Sequence, residues 1–297
     1  MIQKPIWPLK LRRSFADGLV VFLMTSLVVM FLSPLMTGCS SSKLAYQWAD
    51  DYIVWQADDY FDLNSEQKKQ VRTETKAGLD HLRKESFAKF SDFLLETRDR
   101  LAQGQADPAR LEAQLQDRAQ RLQNIFDQSM ASLAPFAKTA SSDLTLKNWQ
   151  NFRKEFETKT SELEKKGFDA EKYVDRLKNW MPLNNQQTKS LVQWLKENPF
   201  PYAQRLANRR HLLAVFEKQS GLEQNQLEPE RVQKTIEAWP SLYQNQQLPE
   251  YTAALAAHRS RWLKQLAQLT YTDSQKKIFI GNLEDRARDL KKMSEEK

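Results

Sequence analysis

Three features of the sequence predict an all-α fold from residue 44 onward. No run of alternating β-branched residues is present, apolar residues recur at helical spacing, and glycines and prolines stand mainly where helices should stop and start. Leu79, Leu82, Phe90, Phe93, Leu94 and Leu101 form a stripe in a helix expected over 65–103. Gly104 suits its C-cap, and Asp107-Pro108 suits an N-cap with proline at the first helical position. Leu111, Leu115, Leu122, Phe126 and Leu133 continue on the far side, so a long hairpin is expected over about 65–138. Trp149, Phe152, Phe156 and Leu163 mark the next helix. Gly167 and Gly221 are placed to end helices, and Pro229 and Pro249 to begin them. The helices over about 142–295 are expected to pack on the hairpin or to form a second bundle, giving an elongated helical bundle.

Composition narrows the function classes. The chain has 297 residues, with 45 Lys+Arg against 38 Asp+Glu, a net charge of +7. One cysteine leaves no disulfide within the chain and no Cys-based structural zinc site. Seven glycines leave little room for Gly-rich phosphate loops. No cofactor is expected.

The first forty residues read as three zones. Lys4, Lys10, Arg12 and Arg13 make a basic start, Leu19 to Leu32 is almost wholly apolar, and Leu35-Met36-Thr37-Gly38-Cys39 is followed by serines 40 to 42. That order describes an export signal. As a helix the apolar run reaches about 21 Å, short of a hydrocarbon core of about 30 Å. An uncleaved helix from about Gly18 to Met36 is the alternative, and Pro34 interrupts it.

Leu35 to Cys39 resembles the lipobox of bacterial lipoproteins. The resemblance implies a signal peptide over 1–38, cleavage after Gly38 and a lipidated tether over 39–42. Cys39 would carry diacylglyceryl on sulfur and an acyl chain such as palmitate on its freed amine. The rest of the chain, 43–297, would be a helical periplasmic domain. Ser40 and Ser41 lack the aspartate that retains such proteins at the inner membrane, which implies the outer membrane. Four basic residues and one acidic residue precede Cys39, so the mature chain would carry +4. The expected partners are therefore the membrane, through Cys39, and an envelope protein, with no nucleic acid.

One pattern occurs three times: an apolar residue, Asn or Thr, two polar residues, Gln, any residue and Lys. The copies begin at Leu63, Leu183 and Tyr271. Each predicts a capping box, pairing Asn64 with Gln67, Asn184 with Gln187 and Thr272 with Gln275. In each, the Gln shares a face with the apolar residue four later and the Lys points away. The Leu-Asn-x-x-Gln form also resembles the Leu-Thr-x-x-Gln motif of the Spy family of periplasmic chaperones, which implies a holdase alternative.

Two segments are candidate contact surfaces. Over 46–63, Tyr46, Trp48, Tyr52, Trp55, Tyr60 and Phe61 interleave with Asp50, Asp51, Asp58, Asp59 and Asp62. Leu44, Trp48, Tyr52 and Trp55 share one helix stripe. Packing against the long hairpin is the plainer account of the aromatics, with the aspartates on the wet face or capping the next helix, and partner docking is the functional reading. A calcium site is disfavoured because no spaced loop with a glycine turn is present. The lipobox followed by Asp59-Tyr60-Phe61-Asp62-Leu63 resembles an uncharacterised family of proteobacterial lipoproteins, which implies a location and no chemistry. The second segment is Asn198-Pro199-Phe200-Pro201-Tyr202 with Arg205, Arg209, Arg210 and His211, a basic patch suited to phosphates or an acidic partner.

Catalytic signatures are missing from the sequence. His81, His211 and His258 form no His-Glu-x-x-His pattern, and there is neither a Gly-x-Ser-x-Gly elbow nor a Walker-type loop. The expected role is non-enzymatic binding or scaffolding. A cell-wall or lipid hydrolase built on carboxylates close only in space is the further alternative.

Overall fold

The structure, a computed structural model, describes residues 46, 48–102 and 108–296. The stretch read as an export signal, the lipobox-like residues 35–39, Gly104 and Asp107 lie outside the described residues. The described chain is all-α. It runs through α1 (Ala49–Phe61), α2 (Ser65–Glu85), α3 (Phe87–Ala102), α4 (Pro108–Ser132), α5 (Ala134–Ala140) and α6 (Leu146–Lys166). It continues through α7 (Ala170–Lys178), α8 (Asn185–Glu197), α9 (Tyr202–Ser220), a 3-10 turn (Leu222–Gln224), α10 (Pro229–Asn245), α11 (Pro249–Ala267) and α12 (Asp273–Glu295).

Local chemistry sets most of these boundaries. Pro229 and Pro249 open α10 and α11 at the first helical position, where a missing N–H costs no helical bond. Gly221 ends α9 in the left-handed region, at φ 81°, which glycine adopts without a Cβ penalty.

The helix expected over 65–103 is instead two helices, separated at Ser86. Ser86 is buried and accepts a hydrogen bond from Ser129 Oγ at 2.9 Å. The break lets consecutive stretches bury their stripes against different partners. The first, α2, packs on α5, where a Cβ at Gly78 would lie 3.3 Å from Leu133 Cδ2. The second, α3, runs along α12 in the most extensive helix pairing among the described residues. Small residues allow that approach: Ser91 Oγ donates to the Ala287 carbonyl at 2.8 Å.

In the hairpin expected over about 65–138, only the single first helix is corrected, to two helices. Its arms do touch, through Glu96 with Arg118 (3.1 Å) and Arg121 (2.7 Å), and Arg100 with Asp117 (3.6 Å). However, α3 and α4 are not each other's main partners, because α4 lies chiefly along α11. Later helices cover much of each arm, α12 on α3 and α11 on α4.

Two cores result. The main one collects Ile53, Leu79, Phe93, Phe152, Phe216, Trp239 and Leu290, so it joins both ends of the described chain. The smaller one joins Val174, Leu191, Leu195, Trp262 and Leu266 from α7, α8 and α11.

All three predicted capping boxes are present. A fourth opens α6, where Thr145 and Asn148 play the same parts. The boxes meet in pairs. Gln67 Nε2 donates to Asn148 Oδ1 at 2.9 Å, and Gln275 Nε2 donates to Gln187 Oε1 at 2.7 Å. Each amide also donates to a carbonyl just before its partner's cap. Gln67 reaches Asp143 O (2.7 Å), Gln187 reaches Thr270 O (2.6 Å) and Gln275 reaches Pro182 O (2.5 Å). Asn148 Nδ2 reaches Phe61 O (2.8 Å) and Asp62 O (3.2 Å). One amide therefore caps its own helix with its oxygen and ties down a distant loop with its nitrogen. The members of the two pairs lie 81 and 88 residues apart in sequence.

Candidate functional site

The aromatic-acidic segment becomes α1 and divides by helical face. Ile53, Val54, Ala57, Tyr60 and Phe61 point into the main core. Phe61 stacks on Phe152 at 5.0 Å between ring centres and meets Trp149 edge-on at 5.3 Å. Tyr60 contacts Phe152 at 5.8 Å and carries the Lys159 ammonium over its ring at 3.8 Å. Tyr60 and Phe61 are therefore corrected from candidate contact residues to core residues. Packing against α6 claims them, and a partner has no access to rings this deeply buried.

The aspartates are claimed by cations of the same chain. Asp50 meets Lys76 at 3.5 Å, Asp51 meets Arg72 at 3.0 Å, Asp58 meets Lys68 at 3.0 Å and Asp62 meets Lys147 at 3.7 Å. Asp59 pairs with Lys159. Asp58 also accepts the Leu63 N–H at 3.1 Å, which holds the turn into α2. The carboxylates thus fasten α1 to α2 and α6. Exposed ion pairs of this kind contribute little each, about 0–1 kcal/mol, but they leave no unbalanced acidic patch. Among the described residues, no group of three or more His, Cys, Asp or Glu converges to hold a metal ion.

What remains outward on α1 is Trp48, Tyr52 and Trp55. Trp48 is 43% exposed and Trp55 37% exposed. Tyr52 is half-buried, its ring 5.9 Å from that of Trp55, and burial pushes its phenol pKa up. Among the described residues, Ile278 is the other large apolar side chain with comparable exposure.

The 199–211 segment is also satisfied from within. Arg209 is buried, its guanidinium 3.8 Å from the Phe156 ring centre and its Nε donating to Thr160 Oγ1 at 2.7 Å. Arg210 bridges Glu157 (3.4 Å) and Glu164 (2.9 Å), and its pKa rises chiefly through the Glu164 contact. Arg205 lies 5.9 Å from the Phe200 ring centre. Arg209 and Arg210 are thus matched to the acidic and aromatic side of α6, and Arg209 is corrected to an interior residue. Its stripe was legible, but its burial follows from how closely α9 approaches α6.

The histidines serve separate places. His81 packs on Phe136 at 5.4 Å, and His211 Nε2 is 2.9 Å from the Gln246 carbonyl. His258, at the smaller core, is buried against Phe200 (5.4 Å) and Trp194 (6.1 Å). Neither of its ring nitrogens meets a hydrogen-bond partner among the described residues. Burial first, and the Arg261 charge second, hold its pKa below the usual histidine value.

The pH consequence follows from that direction. Below about pH 6.5 the unfolded chain takes up a proton that native His258 resists, so stability is full above that value and declines as pH falls. His258→Phe is expected to reduce the loss of urea resistance between pH 7.5 and pH 5.5 relative to the parent chain. Equal losses in both chains would show that His258 is not held neutral.

The clefts among the described residues are small. One, of about 10 Å³, is lined by Trp149, Arg153, Phe216 and Glu217, and one, of about 20 Å³, by Ala57, Phe61, Val71 and Ile236. Each has room for about one water. Among the described residues, no helix is long and apolar enough to cross a membrane.

Sequence reasoning missed Thr145 and Asn148. Leu144-Thr145-Leu146-Lys147-Asn148 keeps the apolar residue, the cap and an amide three later, but Leu146 and Gln150 break the rest of the repeated pattern, so only that spacing was the available signal. No protein family, curated protein or solved structure matches the chain.

Proposed function

We infer that the protein is a lipid-anchored component of a bacterial envelope, attached at the outer membrane through Cys39, that binds or scaffolds an envelope partner from the periplasmic side. The observation that carries this reading is the order of basic start, apolar run and Leu35-Met36-Thr37-Gly38-Cys39, followed within ten residues by a folded helical body. Tyr46 already belongs to that body: its ring packs edge-on against Phe87 at 6.1 Å and its hydroxyl donates to Asp80 at 3.3 Å. Burial, with Asp80 adding to it, pushes that phenol pKa up to about 12, so the hydroxyl stays a donor at neutral pH.

The Leu-Asn-x-x-Gln copies favour this reading over a holdase, because their glutamines are buried and bonded within the chain. The test is crosslinking of the anchored chain in living cells, with captured species identified by mass spectrometry and Cys39→Ser as the mislocalised control. The expected result is one or two stoichiometric envelope partners that are lost in the control. A broad set of unfolded envelope proteins, captured equally by Cys39→Ser, would overturn it in favour of the chaperone alternative.

A further inference from the structure

Two constraints meet at the start of α1. Tyr46 is fixed to α2 and α3, so the covalent distance from Cys39 to a fixed point of the body is seven residues. Fully extended, seven residues span at most about 25 Å. A body tethered by a lipid on Cys39 therefore holds the first turn of α1 close to the bilayer surface. Trp48, Tyr52 and Trp55 stand within about 11 Å of one another along that helix.

The chemistry of the stripe suits that location. Trp and Tyr combine an apolar ring with a polar tip and favour the headgroup level of a bilayer. At 100° per residue, Asp51 borders the stripe and Asp59 continues its line one turn beyond Trp55, and both are paired within the chain, with Arg72 and Lys159. The face thus presents aromatic rings without net negative charge.

We propose that Trp48, Tyr52 and Trp55 form a bilayer-contact stripe that lays the N-terminal half of α1 into the lipid headgroup region beside the anchor. The occupant is the membrane surface itself, because the short tether keeps the stripe there whatever else the protein binds. The proposal rests on the anchored reading above. It adds to it an orientation, with α1 against the lipid and the rest of the body turned away. Lipid chains on Cys39 and the aromatic stripe then act as two attachments, which also limits rotation about the tether.

The test uses the full chain in Gram-negative cells, with a photoreactive aromatic amino acid placed singly at position 48, 55 or 278. Position 278 is the control because Ile278 is 47% exposed and lies on α12, whose main partner is α3. Protease resistance checks that each variant folds, and detergent-dependent release from the membrane pellet checks anchorage. Lipid adducts at 48 and 55, and none above background at 278, are expected. Protein adducts at 48 and 55 would overturn the proposal by making the stripe a protein interface. Absence of adducts there in an anchored chain would overturn it as well. A chain that is not membrane-bound would overturn the anchored reading itself, and the pellet measurement separates that failure from the others.

Discussion

Phe61→Ala is expected to lower the unfolding free energy by about 3–5 kcal/mol, the range for truncating a buried phenylalanine. For a body of this size that corresponds to a fall in Tm of about 6–20 °C. The ring is buried between Phe152 and Trp149, which belong to a continuous aromatic series that passes through Phe216 to Trp239. Removing it opens a hole that neighbouring aromatics, held by their own contacts, cannot close. Trp55→Ala, on the outward face of the same helix, should cost about 1 kcal/mol or less. Thermal unfolding of the two variants decides between core and contact roles for α1. Equal, small effects would mean that α1 does not dock on α6 as described.

Asn148→Ala is expected to cost about 2–4 kcal/mol, although it removes only a short amide. Three separate costs add up: loss of the α6 capping box, loss of the Gln67 contact, and a buried Phe61 carbonyl left without its donor. Its pairing with Gln67 has a further signature. Once Asn148 is gone, Gln67→Ala has less to remove, so the double variant should be less destabilised than the two singles predict, by about 0.5–3 kcal/mol. Urea denaturation of the four chains measures that coupling. Strict additivity would show that the two boxes act independently.

Much of this was legible in the chain. Helical stripes located Trp149, Phe152 and Phe156, and all three are buried. Asn64, Asn184 and Thr272 announced their helix starts, because capping depends on a residue and its third neighbour alone. Breaks inside expected helices were not legible. Around Ser86 the stripe runs on without glycine or proline, and only the choice of α5 for one half and α12 for the other divides it. The candidate surfaces suffered the same limit. Asp58, Asp59 and Arg210 read as available charge until α1, α2, α6 and α9 were brought together.

By itself the sequence determined the fold class and most helix ends. These depend on interactions within a few residues, on side-chain period, capping oxygens and proline. The tertiary structure alone decided which charges are already matched, which amides pair across 81 and 88 residues, and which of the α1 aromatics face outward. Those outcomes depend on which helix covers which face. A side chain's solvent exposure and electrostatic partners are properties of neighbours that chain connectivity does not name.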